Sequence, residues 1–307
     1  MKAKVSFLVS ILLFGLFSLA SLLCLSGCAK KSAGKSGEVI SGGNGGVEAK
    51  FPSRIVALSP SAAEVLFAVG AGAQVVAVSD YTDFPPEACS LPKAGGFDGK
   101  TLSMESILSF KPDFVYLTQG MHNFLIPMLQ EYSIDYYISN ADSIKSVEQE
   151  ILEVAALTGH ENSKQVKTLI KNMEEKLAAA EKIRAEHSEN PALYYEVWNS
   201  PFITAGKTSF INDVIEKAGA VNIFSDLEEA YPIISEESII KRNPSVILIS
   251  KSSALTADDI QSRYGWKDIS ALKNNQIFII DDNVFTRPGP RIADCVESLS
   301  HLLYDKE

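Results

Sequence analysis

The sequence predicts an α/β protein made of two similar lobes, each with a mainly parallel sheet, joined by one long α-helix. Three observations carry this reading. Residues 103–117 (SMESILSFKPDFVYL) match residues 235–249 (SEESIIKRNPSVILI) without a gap. Both read as a short helix opened by a Ser N-cap, a Pro that ends it, and an all-apolar strand. An all-apolar strand implies burial on both faces, hence a parallel sheet covered by helices. A second pair occurs in the same order: residues 64–71 (EVLFAVGA) echo residues 213–220 (DVIEKAGA), each a helix closing at a Gly C-cap. Between the halves, residues 161–187 place Val166, Leu169, Ile170, Met173, Leu177 and Ala180 on one face at helical spacing, with Lys and Glu opposite. A helix of that length spans about 40 Å, enough to cross from one lobe to the other and to restrict them to small hinge motions.

The first segment is a targeting signal. Lys2 and Lys4 precede an apolar run over residues 5–25, which ends in Leu25-Ser26-Gly27-Cys28 and is followed by Ala29-Lys30-Lys31. A charged start, an apolar core and small residues at the end make a secretory signal. The Leu-Ser-Gly-Cys ending resembles the bacterial lipoprotein lipobox, in which the signal is cut before the Cys and the thiol is diacylated. That resemblance implies a signal peptide over 1–27 and a lipid-anchored Cys28. The alternative is an uncleaved anchor, since the run is nearly long enough to span a bilayer. Either way, the rest of the chain is expected outside the cytoplasmic membrane. Residues 32–50 (SAGKSGEVISGGNGGVEAK) are Gly/Ser-rich and read as a flexible linker, not packed structure. The expected organisation is therefore a signal (1–27), a linker (28–50), a first lobe (51–158), a connecting helix (159–189) and a second lobe (190–307).

Within the lobes, strands are expected over 54–59, 75–79, 136–139, 193–198 and 276–281, besides the two in the repeat. Composition excludes several classes of partner. Without residues 1–27, which hold only Lys2 and Lys4, the chain has 28 − 2 = 26 basic against 38 acidic residues. Nucleic acids and anionic lipid surfaces call for basic patches, so neither fits. The four histidines, His122, His160, His187 and His301, are scattered, so no metal site is expected. There is no Gly-x-Ser-x-Gly elbow and no His-Glu-x-x-His, and no Ser-His-Asp set can be nominated, so an enzyme is not expected. With Cys24 in the signal and Cys28 acylated, Cys89 and Cys295 remain. They lie in opposite halves and are expected as free, mostly buried thiols.

Specific motifs then point to a family. Arg54-Ile55-Val56-Ala57-Leu58-Ser59-Pro60 and Tyr81-Thr82-Asp83-Phe84-Pro85-Pro86 resemble the opening of the helical-backbone substrate-binding proteins of bacterial ABC importers. Residues 199–207 (NSPFITAGK), 219–224 (GAVNIF), Tyr231-Pro232 and 287–292 (RPGPRI) are similar to its vitamin B12-binding branch. The resemblance covers residues 51–305. It implies one ligand in a cleft between the lobes, a monomer without a resident cofactor, and docking onto a permease, with its ATPase, through an acidic residue on each lobe. Glu105 and Glu237 match that role and occupy equivalent places in the repeat, each in the first turn of its helix, where a carboxylate suits the dipole.

A corrin is broad, flat and mostly apolar with amides at its rim, which suits aromatic faces and a few hydrogen bonds. The resemblance places Tyr81, Phe97, Phe202 and Tyr231 in the cleft, with Phe285 as a fifth. Where some B12 binders have Trp, however, this chain has Phe97, Thr118 and Tyr231, and neither Trp198 nor Trp266 sits at a matched position. That leaves the ligand open between cobalamin and an iron-siderophore or haem. For an anionic ligand of that kind, Arg287, Arg291 and Lys207 are the available cations, although Arg291 is expected to cap or pair locally. His122, in the Gln119-Gly120-Met121-His122-Asn123 loop, is expected to be solvated, with ligation of cobalt or iron as the alternative.

Overall fold

The computed structural model describes residues 37–40 and 51–305. The signal over 1–27 and Cys28 lie outside the described residues.

The first lobe holds a six-stranded sheet in the order β1-β6-β5-β2-β3-β4. Its strands are β1 (Gly37–Ile40), β2 (Ile55–Ala57), β3 (Val75–Ser79), β4 (Lys93–Gly95), β5 (Phe114–Thr118) and β6 (Asp135–Ser139). All neighbours are parallel except β1, which runs antiparallel to β6. The linker expected over 32–50 is thus interrupted, because Gly37–Ile40 pairs its backbone with the open edge of β6. An edge strand offers a row of free N–H and C=O groups to any segment that can lie alongside.

The second sheet has the order β11-β10-β7-β8, with β9 also on β7. It consists of β7 (Ala192–Asn199), β8 (Phe202–Thr204), β9 (Val221–Asn222), β10 (Val246–Ser250) and β11 (Ile277–Ile280), parallel apart from β8. The path β6-β5-β2-β3 of the first lobe thus recurs as β11-β10-β7-β9 in the second.

The repeat has a local physical basis. Ser103 and Ser235 each accept a hydrogen bond from the backbone N–H three residues on, opening the helices Met104–Ser109 and Glu236–Arg242. The residue before each Pro, Lys111 and Asn243, adopts a left-handed φ of 49° and 46°. This ends the helix where the following Pro disfavours the right-handed helical region. The strands that follow are buried on both faces: Phe114 and Tyr116 enter one core while Val115 and Leu117 enter another. Val246 and Leu248 alternate with Ile247 and Ile249 in the same way. Each such fully buried aliphatic side chain stabilises the fold by about 1.5–3 kcal/mol. The second repeated helices, Pro60–Val69 and Phe210–Lys217, terminate at Gly70 and Gly219, with φ of 99° and 95°.

The long helix runs over Lys164–Ala185 and is capped by Ser163. Its 22 residues span about 33 Å at 1.5 Å per residue. Gln165 near its start donates to the Phe67 and Ala68 carbonyls of the first lobe. Near its end, the Ala180 carbonyl accepts from Ser300 in the second lobe's helix Ile292–Tyr304. The helix is therefore fastened to both lobes.

The cysteine expectation needs correcting. Cys89 and Cys295 are both free, but Cys89 is exposed and Cys295 only half-buried. Cys89 sits in a single-turn helix, Pro86–Cys89, in the loop after β3, whose Ala88 faces the core and leaves the next side chain, Cys89, at the surface.

Candidate functional site

In open parallel sheets the loops at the carboxyl ends of the strands form the binding crevice. In the first lobe, β3 leads to Tyr81, β4 to Phe97 and β5 to His122. Ser79 Oγ accepts from the Tyr81 N–H at 3.1 Å, turning the chain out of the sheet. Tyr81, 53% exposed, stacks on Phe97 with centroids 4.4 Å apart and planes 12° from parallel. The half-buried Phe97 ring lies 6.3 Å from the His122 imidazole.

His122 is not solvated, contrary to expectation; its exposure is 0%. The chain turns back after β5, so the His122 N–H bonds the Thr118 carbonyl while Nδ1 accepts the Thr118 N–H at 3.0 Å. Burial pushes its pKa down to about 4, so the ring is neutral at pH 7.

In the second lobe, the tight turn between β7 and the antiparallel β8 presents Phe202, which is half-buried. Its support is a charged stack. Arg263 lies 5.2 Å over the Phe202 ring and 4.6 Å over Trp266, and donates to both oxygens of buried Glu196 at 2.6 and 2.7 Å. Trp266, buried in turn, donates its Nε1–H to Glu236 at 2.7 Å. Tyr231 is 50% exposed in the segment whose backbone flanks β8. Phe285 departs from expectation: it is 2% exposed and packs against Tyr195 with centroids 5.1 Å apart. It belongs to the core because the short helix Asp282–Phe285 turns its last side chain inward beneath the sheet.

The two lobes meet through an ion-pair cluster among these loops. Arg287, after β11, bonds Asp83, after β3, with Nη2 3.2 Å from Oδ2, and bonds Asn283 at 2.8 Å. Arg291 donates to Glu64, with Nε 2.9 Å from Oε2, and lies 4.2 Å over the Phe84 ring. Glu64 is buried on the helix Pro60–Val69 of the other lobe. Arg291 therefore pairs across the molecule rather than locally, with a partner 227 positions away. Burial raises the Asp83 carboxyl pKa, but the Arg287 guanidinium more than offsets this and holds it below the usual carboxylate range. Lys207 pairs with Glu228 at 2.7 Å. All three cations proposed for an anionic ligand thus already have carboxylate partners. Sequence reasoning missed Glu64 as a member of the cluster. Its signal was a lone acid in an otherwise apolar helix, PSAAEVLFAV.

Glu105 and Glu237 are both exposed, each the second residue of its helix. Because these helices run back against their strands, their first turns lie at the same end of each lobe as the aromatic loops. A cavity of about 470 Å³ lies elsewhere in the first lobe, along the helix Pro60–Val69 and the segment around Phe84, and holds none of the aromatic residues expected at the ligand. Among the described residues no group of three or more His, Cys, Asp or Glu side chains gathers to hold a metal.

Residues 55–284 match the periplasmic binding protein family. This chain belongs to that family. It is similar to the vitamin B12-binding protein of Vibrio cholerae, 28% identical over 258 residues that cover 81% of this chain and 88% of the relative. It is also 28% identical to an uncharacterized ABC transporter substrate-binding lipoprotein of Bacillus subtilis, over 83% of this chain and 81% of the other. Among solved structures, a possible iron-binding periplasmic solute-binding protein of Staphylococcus epidermidis superposes with a TM-score of 0.71 at 31% identity, covering 83% of this chain and all of the other. The periplasmic binding protein described here thus belongs to a family of extracytoplasmic substrate-binding proteins.

Proposed function

We propose that this chain is the lipid-anchored binding component that captures a corrinoid in the interlobe cleft and delivers it to its permease. The observation that carries the reading is the pairing of exposed aromatic faces with neutralised cations. Tyr81 stacked on Phe97 offers a flat apolar platform in one lobe, and Phe202 and Tyr231 supply rings in the other. Arg287, Arg291 and Lys207 are each bound to a carboxylate, so using them for an anionic ligand requires breaking existing pairs. A large, uncharged, mostly apolar ring fits such a surface without that cost. Similarity to a vitamin B12-binding protein supports this ligand, and similarity to a lipoprotein supports acylation of Cys28.

Glu105 and Glu237 dock on basic permease residues, and the docking spreads the lobes to loosen the aromatic grip. The similarity to a possible iron-binding protein favours a second reading, in which the cargo is an iron-siderophore or haem. Calorimetric titration of the detergent-solubilised full chain separates the two. One-to-one binding of cyanocobalamin at micromolar or tighter affinity is expected. Binding of haemin or a ferric siderophore with no heat from cyanocobalamin would transfer the role to the iron chelate.

A further inference from the structure

Among the described residues, four buried side-chain atoms have no hydrogen-bond partner: Gln74 Oε1, Thr82 Oγ1, Thr118 Oγ1 and His122 Nε2. Three of the four stand at the carboxyl ends of β3 and β5, where the first lobe presents its aromatic residues. A buried polar atom without a partner costs about 1–3 kcal/mol, so a cluster beside a binding surface calls for a reason.

Thr118 and His122 form a unit. The imidazole Nδ1 accepts the Thr118 N–H, so the ring proton resides on Nε2. In that tautomer Nε2 has no lone pair for a metal and serves only as a donor. The hydroxyl of Thr118, the residue whose N–H the ring accepts, both donates and accepts. Phe97 closes the space on one side, with its ring 6.3 Å from the imidazole, and stacks outward on Tyr81. Gly96 precedes Phe97, and the loop is held by hydrogen bonds between Asp98 and Thr101, so only the half-buried Phe97 side chain has to turn to admit a ligand group.

We infer that Thr118 and His122 make a polar subsite behind Phe97 that receives a primary carboxamide of the ligand. The amide carbonyl accepts from His122 Nε2–H and the amide nitrogen donates to Thr118 Oγ1. A carboxylate presents acceptors only and leaves the hydroxyl's acceptor role unused. The low pKa of His122 agrees with this, because a neutral ring gives a carboxylate no charge to bind. The subsite rests on the corrinoid reading, since a corrin rim carries such amides.

Two substitutions remove the subsite while sparing the fold. Thr118→Val keeps the side-chain shape and removes a hydroxyl that has no protein partner. His122→Asn keeps an acceptor near Nδ1 for the Thr118 N–H and removes the distal donor. In the detergent-solubilised full chain, each is expected to weaken cyanocobalamin binding about tenfold by calorimetry, with a melting temperature within ~2 °C of the parent. If His122→Asn melts early, Thr118→Val decides alone. Parental affinity in Thr118→Val overturns the subsite and leaves the corrinoid reading standing. Absence of cyanocobalamin binding by the unsubstituted chain overturns both.

Discussion

Glu150 in the first lobe and Glu196 in the second are each 1% exposed, yet they are held in opposite ways. Glu196 meets the guanidinium of Arg263 with two hydrogen bonds. Glu150 is held by hydroxyls, those of Tyr116 and Ser139, the latter at 2.7 Å. Burial pushes its pKa up to about 7, although the hydroxyl bonds pull the other way. The same contrast runs into the cleft. The second lobe's aromatic residue, Phe202, rests on a satisfied stack of Arg263, Trp266 and Glu236, whereas the first lobe keeps Thr82, Thr118 and His122 with unpartnered polar atoms. Two lobes built on one repeated pattern thus differ, one offering a fixed platform and the other a face with unspent hydrogen-bonding capacity.

The largest expected effect tests where the lobes remain alike. Glu105→Lys combined with Glu237→Lys should abolish corrinoid uptake by cells while the purified chain keeps its affinity, because both exposed carboxylates stand outside the aromatic set. Uptake that survives the double reversal would refute docking through these residues.

Next come the buried glutamates, whose neutral variants should move stability in opposite directions. Glu196→Gln leaves Arg263 nearly buried without its charge partner and should cost about 3 kcal/mol. Glu150 has a folded pKa near 7 against an ordinary 4.5, so the folded state binds the extra proton between those values. Its contribution to stability therefore declines as pH rises through that window and is flat above it. Glu150→Gln should remove the decline and stabilise the protein at pH 8 by up to about 3 kcal/mol, with little change at pH 4.5. Denaturant unfolding of both variants at the two pH values checks this, and a loss of stability in Glu150→Gln at pH 8 would count against a raised pKa.

The smallest effects separate platform from face. Tyr81→Ala removes a half-exposed ring and should weaken cyanocobalamin binding about tenfold with little change in melting temperature. Phe202→Ala should lower both affinity and stability, since that ring also packs on Trp266. Equal melting shifts in the two variants would erase the distinction.

Much of this architecture was legible in the chain. The gapless match between residues 103–117 and 235–249 announced two lobes because a Ser cap, a helix stop and a two-faced apolar strand are local devices, each acting within a few residues. The connecting helix was legible for the same reason, its apolar face being a matter of 3.6-residue spacing. Tyr81 and Phe202 were nominated through motifs, and the structure leaves both with accessible rings. Phe285 and His122 were misplaced because whether a short loop helix turns its side chain inward depends on what the sheet leaves open beneath it.

Sequence alone determined the fold class, the repeated helix–strand units, the caps and the acidic residues that open the paired helices, since all of these follow from neighbours along the chain. Only tertiary structure decided that Arg287 and Arg291 reach Asp83 and Glu64, 204 and 227 positions away, that Arg263 carries Phe202, and that Gly37–Ile40 completes a sheet edge. Contacts of that kind depend on how two separately folded lobes and a distant strand come together, and no local periodicity encodes the meeting of charges so far apart in the chain.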